Sequence, residues 1–228
     1  MNRHLPKKGP WFRARWFRSA ANGFETEQDH DATEAYFEHR IADAERLFIA
    51  AVKRAETFGP HSARLATALN NLAELYRVQG EFAQAEPHYW RALTIDEQVL
   101  GPDHLDLARD LHNLALLYRA QGRYADAEPL CRRALEIRQK GLPPEHPGTA
   151  ATLSNLLAIY LAQGKYAQAE PLYRRVLAIK AQRLGPDHPD FASSLDIYAA
   201  LLRRTRGESE AVRFTGRAAL VGHRAVGR

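Results

Sequence analysis

The sequence predicts an all-α protein, an α-solenoid in which antiparallel helix pairs stack one upon the next. A block that starts Leu-x-Asn-Leu and ends in glycine recurs at 69–80, 111–122 and 153–164, a step of 42 residues. Within each block, apolar residues are spaced by three and four, as on one face of a helix. A repeat of this length, kept without slippage, indicates a stacked array of one supersecondary unit.

Composition is that of a folded, soluble chain: 45% of the 228 residues are hydrophobic and 26% are charged. No apolar run reaches about 18 residues, so no transmembrane helix is expected. No apolar stretch follows the basic N-terminus, so no secretory signal is expected either. Cys131 is the single cysteine and cannot form an internal disulfide. This favours a reducing compartment, and we expect a cytoplasmic protein.

The net charge of +5 is unevenly distributed. Residues 1–18 contribute +6 and residues 203–228 contribute +5, which leaves −6 for residues 19–202. The basic character therefore belongs to the two ends. The positive net charge is therefore only weak evidence that the array itself binds nucleic acid.

The N-terminal part divides into two segments. Residues 1–30 lack a helical period and mix aromatic residues with arginine over 11–18. Such a segment could lie at a membrane interface or against an acidic partner, or it could be a flexible tail or one packed on the first helix. Residues 31–58 predict a long leading helix whose second half resembles the second helix of a repeat, so it forms a half repeat.

The array is predicted to cover 59–222 with about four repeats, followed by a tail at 223–228. Each repeat consists of helix A, a tight turn at glycine, helix B and a connector containing proline, which cannot continue a helix. In the last repeat arginine and glutamate replace apolar surface, which suits a polar C-terminal cap. The predicted A helices cover 61–79, 103–121, 145–163 and 188–204, and the B helices 81–99, 123–140, 165–183 and 208–222.

Buried positions follow the same step. Tyr89, Cys131 and Tyr173 share one register of helix B. Because free cysteine is usually buried, Cys131 is expected to fill the core rather than act as a reactive thiol.

Several motifs recur in phase along the chain. They are Asn-Leu-Ala-x-Leu-Tyr at 113–118, Gln-Gly-x-Tyr at 121–124, Arg-Ala-Leu at 133–135, Ala-Glu-Pro-x-Tyr at 169–173 and Leu-Gly-Pro-Asp-His-Pro at 184–189. These motifs resemble the tetratricopeptide repeat, in the 42-residue form of kinesin light chains and many bacterial proteins. The resemblance covers about 40–222 and implies a right-handed superhelix whose concave groove, lined by the A helices, binds extended peptides or helices. The heptad coiled coil of kinesin light chains is absent, so cargo transport is not expected.

The outer face of helix A, opposite the leucine stripe, is the candidate peptide-binding groove. Its side chains are spaced by three and four and therefore form one stripe on each helix. The candidates are Thr67, Asn70, Asn71, Glu74, Arg77, Arg109, His112, Asn113, Leu116, Arg119, Ser154, Asn155, Ala158, Asp196 and Arg203.

Asn71, Asn113 and Asn155 form a ladder at one repeat position. An amide can pair with both the C=O and the N–H of an extended backbone without reading its side chains. The family resemblance implies this role, and the alternative is a bond between neighbouring A helices.

Arginines outnumber carboxylates among these candidates. Charge therefore favours an acidic or carboxylate-ended peptide as the partner. The alternative is a solvated arginine face. The sequence sets no oligomeric state.

The sequence offers no candidate for a metal, cofactor or catalytic site. His104, His146 and His188 lie one repeat apart, too far to share a metal, and are expected to serve as connector or capping residues. Asp103 and Asp187 are expected to cap the following A helices. No phosphate-binding loop, zinc-ligand cluster or catalytic triad is present, so no cofactor and no enzymatic activity are expected.

Two functions remain from the sequence. The first is a protein–protein interaction scaffold that binds a partner peptide in the groove. The second is a basic-tailed accessory protein that contacts nucleic acid or an anionic membrane through 1–18 and 203–228.

Overall fold

The computed structural model describes residues 41–185 and 188–212, and all regular structure within these ranges is α-helical. Residues 208–212 are also helical. The helices are α1 Ile41–Glu56, α2 Ala63–Gln79, α3 Phe82–Leu100, α4 Leu105–Ala120, α5 Tyr124–Gly141, α6 Pro147–Ala162, α7 Tyr166–Leu184 and α8 Pro189–Thr205.

The helices α2 to α8 begin and end within two residues of the bounds predicted from the sequence. Helices α2, α4, α6 and α8 are the A helices, and α3, α5 and α7 are the B helices. A glycine at positive φ follows each of α2 to α8 except α5, which ends before Leu142 in extended conformation. Gly80, for example, closes α2 at φ +81°, in the left-handed region, and its N–H donates to the carbonyl of Arg77. The predicted helix–turn–helix repeats are confirmed, and the fold is an α-solenoid.

Three of the A helices, α2, α4 and α6, begin with side-chain caps that were only partly predicted. Ser62 caps α2, and the Nδ1 atoms of His104 and His146 accept from the N–H two residues ahead, at 3.2 and 3.1 Å. The capping role expected of these two histidines is confirmed. The expectation that Asp103 caps α4 was wrong, because its carboxylate lies one position too early and instead accepts from Lys140 Nζ at 2.9 Å. Asp187 lies outside the described residues.

The chain divides into two compact units, at Pro102 and Asp103. In the first unit, α2 packs against α1 and α3. The leucine stripe of α2 is buried, and Tyr89 and Ala92 of α3 are fully buried beside it. The largest buried side chains of this unit are Phe48, Leu65, Leu69, Leu75 and Tyr89.

In the second unit each helix packs against the next from α4 to α8, and α4 also contacts α6. Cys131 is fully buried, as predicted, and burial raises the pKa of its thiol to about 12. Tyr173 is buried in the same register and stacks on Tyr198. The largest buried side chains of this unit are Leu107, Leu111, Leu114, Leu117, Leu153, Ile159 and Tyr198.

Some predictions fall outside the described residues. The segment 1–30, the first part of the leading helix at 31–40 and the C-terminal stretch 213–228 belong to this group. The half repeat, the polar cap and the alternative function through the basic ends therefore stay predictions.

Candidate functional site

The outer face of α2 carries the first candidates. Thr67 is half-buried and its hydroxyl donates to the carbonyl of Ala63 at 3.1 Å. Asn70 is buried, and its Nδ2 donates to the carbonyl of Ala66 at 3.3 Å. Asn71 is half-buried. Of these two neighbouring amides, Asn71 is therefore the one that reaches the surface.

Glu74 and Arg77 form a paired cluster with the buried Tyr89. Two nitrogens of Arg77, Nε and Nη2, donate to the two carboxylate oxygens of Glu74, each at 2.6 Å. The Tyr89 hydroxyl donates to the same carboxylate at 2.7 Å. Burial alone would lower the pKa of Arg77, but the charge and hydrogen bonds of Glu74 outweigh it and raise that pKa. Much of the charge of Arg77 is thus neutralised within the chain.

On α4, Arg109 is also paired. Its Nη1 lies 2.9 Å from Asp106 and its Nε 3.4 Å from the fully buried carboxylate of Asp110. Asn113 and Arg119 are half-buried on the same helix face.

Two further candidates on α4 are not accessible. Leu116 is buried, and so is His112, whose Nδ1 lies 3.4 Å from the Thr152 hydroxyl. Their side chains contribute to the packing of the second unit rather than to its surface.

Asn155 on α6 differs from the other two asparagines of the ladder. Its side chain is only 2% exposed, and its amide lies against the thiol of Cys131. Neither Nδ2 nor Oδ1 has a well-formed hydrogen bond within the described residues. The structure therefore brings Asn71 and Asn113 to the surface but not Asn155. On the same helix, Ser154 is exposed and Ala158 is half-buried.

The last candidates, Asp196 and Arg203 on α8, are exposed. Arg203 Nε lies 3.1 Å from each carboxylate oxygen of Glu208. Arg204, beside it, lies over the ring of Tyr166 at 4.5 Å. Ile197 shares this face and is 53% exposed.

Sequence reasoning missed a recurring polar contact between repeats. Arg138 at the end of α5 donates to the Gly148 carbonyl at 2.7 Å and to the Thr152 hydroxyl on α6. One repeat later, Lys180 donates to the hydroxyl of Ser194 on α8 at 2.6 Å. A signal was present in the sequence, because Arg138 and Lys180 are 42 residues apart and so are Thr152 and Ser194. A basic residue and a hydroxyl residue therefore recur together in registers that are otherwise buried.

Within 41–185 and 188–212, no three His, Cys, Asp or Glu side chains are grouped as they would be around a metal ion. None of the described helices is both long and apolar enough to cross a membrane.

The tetratricopeptide repeat family matches four overlapping ranges of the sequence, 32–98, 64–140, 111–182 and 149–219. The chain belongs to this family. Tetratricopeptide repeat proteins generally mediate protein–protein interactions, and their fold is typically non-enzymatic. The resemblance inferred from the sequence is confirmed. No curated protein matches the chain.

Solved structures with the same fold include several repeat proteins. A Podosopora anserina kinesin light chain with nearly identical TPR-like repeats is 24% identical with a TM-score of 0.74, over 87% of this chain and 94% of that one. BtubC (BKLC) from P. vanneervenii is 21% identical with a TM-score of 0.76, over 95% of this chain and 87% of that one. Pseudomonas aeruginosa PilF is 21% identical with a TM-score of 0.59, over 91% and 78%. These likenesses confirm the α-solenoid fold of the kinesin light chain type.

Proposed function

We propose that this tetratricopeptide repeat protein is an interaction scaffold that binds an extended or helical peptide of a partner on the outer faces of its A helices. The observation that carries the proposal is the pair of half-buried asparagines, Asn71 and Asn113, at one repeat position. The opposite face of each A helix is packed in the core, so the outer face is the one left for a partner.

Asparagine at these positions has a helix cost, since it is a poorer helix former than leucine or alanine by several tenths of a kcal/mol. Its amide can donate to and accept from a peptide backbone at once. Each of these amides suits a ligand recognised partly through its main chain.

Charge on the A helices gives less support to an acidic partner than the sequence suggested. Arg77 and Arg109 are each held by carboxylates of this chain, which reduces the positive charge available to a ligand. An acidic partner and a cytoplasmic location stay predictions.

The test starts from a partner identified by co-purification with the full chain and mass spectrometry. Its dissociation constant is then measured for the wild type and for Asn71→Ala/Asn113→Ala. If each amide contributes about 1 kcal/mol of net hydrogen bonding, the double variant should bind about thirtyfold more weakly.

The matched control removes two amides from the B helices, with Gln98→Ala and Gln168→Ala, both at exposed positions. It should bind as the wild type does. An unchanged dissociation constant in a folded Asn71→Ala/Asn113→Ala variant would refute the assignment of the A-helix face.

A further inference from the structure

Helix α7 presents only positive charge to solvent. Its sequence holds four cations and one carboxylate, Glu170. That carboxylate is buried, and its Oε1 lies 2.9 Å from both Arg174 Nη2 and Arg206 Nη2. Lys180 is half-buried and donates to the Ser194 hydroxyl. The exposed charges of α7 are therefore three guanidinium groups, those of Arg174, Arg175 and Arg183.

Helix α5 adds arginines at the same registers. Arg132, which is exposed, and Arg133, which is half-buried, occupy the positions of the α7 arginine pair one repeat earlier. The Gln139 amide, with its oxygen turned toward the guanidinium, accepts from Arg175 Nη1 at 2.7 Å and from Nη2 at 3.1 Å. This contact joins the outer surfaces of the two helices. The basic B-helix face is defined as Arg132, Arg133, Arg174, Arg175 and Arg183.

The positive charge of this face is not neutralised from within the part of the chain that the structure describes. There, no carboxylate forms an ion pair with Arg132, Arg175 or Arg183. Neighbouring acidic groups are already occupied by other cations, in the pairs Arg123–Asp126, Lys140–Asp103 and Lys165–Glu128.

Two exposed carboxylates oppose the face, Glu136 on α5 and Glu145 in the connector after it. They are fewer than the arginines, so an excess of positive charge remains. Residues 19–202 carry −6 in total, which makes this excess a local property of α5 and α7 rather than one of the array. A surface patch of one sign concentrates ligands of the opposite sign. The ligand that complements this face is negatively charged.

We infer that the basic B-helix face binds the phosphate backbone of a nucleic-acid duplex, independently of its sequence. A guanidinium group can donate to two phosphate oxygens at once, whereas an ammonium group acts as a point charge. All five charged groups of the face are guanidinium groups. The bond to Gln139 holds Arg175 through an uncharged amide, so its orientation is restricted while its charge is kept.

The same two helices favour a duplex over a single strand or a membrane. No aromatic side chain is exposed on α5 or α7, both of which the structure describes in full, so unpaired bases would find no stacking partner. Leu184, 38% exposed, is the one exposed large apolar side chain on these helices, which leaves no apolar face to insert between lipids. A duplex carries phosphates along both strands and requires neither feature.

The test measures the fluorescence anisotropy of a labelled DNA duplex of about twenty base pairs and arbitrary sequence, titrated with the full chain. If three phosphates are contacted, the logarithm of the binding constant falls with a slope of about −2.7 against the logarithm of the salt concentration. Affinity should then fall about fortyfold between about 50 and 200 mM NaCl. A second duplex of unrelated sequence should bind equally well.

The decisive variant replaces the three exposed arginines that form no ion pair, as Arg132→Gln/Arg175→Gln/Arg183→Gln. Arg174 is kept because it holds Glu170 and donates to the Tyr198 hydroxyl. The variant should bind at least about tenfold more weakly at about 50 mM NaCl, with a salt slope near zero and an unchanged circular dichroism spectrum. Should its fold be affected, Arg183→Gln alone should still reduce the slope by about one.

The matched control removes the same charge from the N-terminal segment, with Arg13→Gln/Arg15→Gln/Arg18→Gln, and should bind the duplex as the wild type does. Asn71→Ala/Asn113→Ala should also bind the duplex as the wild type does. The result therefore does not depend on the peptide-binding role proposed for the A helices.

Absence of duplex binding at about 50 mM NaCl, or unchanged binding by the folded triple variant, would overturn the inference. So would an equal loss in the N-terminal control, because that segment or the net charge would then account for binding. Phosphatidylserine vesicles bound in place of the duplex would assign the face to a membrane. Polyglutamate that displaces the duplex at equal charge would assign it to an acidic protein, and either result overturns the inference.

Discussion

The Glu74–Arg77–Tyr89 cluster allows a quantitative prediction, because its members are largely buried and hydrogen-bonded to one another. Glu74→Ala removes the acceptor of three hydrogen bonds and leaves the Arg77 guanidinium, only 14% exposed, without its carboxylate. Breaking a buried ion pair typically costs 3–5 kcal/mol. Because both side chains keep some contact with water, we expect the lower end, about 3 kcal/mol.

The assay is amide hydrogen exchange of α2, which reports the opening of the first unit without assuming that the whole array unfolds at once. A loss of about 3 kcal/mol corresponds to exchange more than a hundredfold faster. The control is Glu56→Ala, which removes the carboxylate of an exposed pair with Arg91, 2.9 Å apart. An exposed pair contributes at most about 1 kcal/mol, so amide exchange of α2 in the Glu56→Ala variant should rise less than tenfold. Equal effects of the two substitutions would refute the reasoning.

Three further predictions concern single residues. The thiol of Cys131, with its pKa raised to about 12 by burial, should resist iodoacetamide at pH 8 until denaturant is added, as mass spectrometry would show. Burial and then Arg91 lower the pKa of His88, so folding favours its neutral form. Urea stability should therefore fall as the pH drops below about 6.5, and less so in His88→Phe. Gly80→Ala forces alanine to φ +81° in open space and should cost about 1–2 kcal/mol in urea unfolding, with no change in helix content by circular dichroism.

The helices could be predicted from the sequence because local chemistry determines where they end. Glycine at a left-handed position and proline in the connectors recur at one step, and each marks a helix end independently of packing. The capping residues were harder to predict from the sequence, because Asp103 and His104 are adjacent and both can cap a helix. Only the structure shows that the imidazole reaches the backbone while the carboxylate pairs with Lys140.

The candidate surface could be predicted only as a helix face. Spacing identified the stripe, but which side chains reach solvent depends on the neighbouring helix. Cys131 occupies a register that holds tyrosine in the adjacent repeats, and the Asn155 amide lies against its small thiol. Neither the burial of Asn155 nor the pairing of Arg109 with Asp110 follows from helical periodicity, because both depend on tertiary packing.

The polar contacts between repeats explain why the outer face is free to vary. Stripes of leucine and alanine repeat so regularly that apolar packing alone could accept a shifted stacking of one helix on the next. Arg138 with Thr152, and Lys180 with Ser194, match donor to hydroxyl in one register only, which is the kind of pairing that fixes alignment. Since core and contacts together specify the stack, the alignment of the repeats does not depend on whether this outer register holds asparagine or, as at Ile197, an exposed aliphatic side chain.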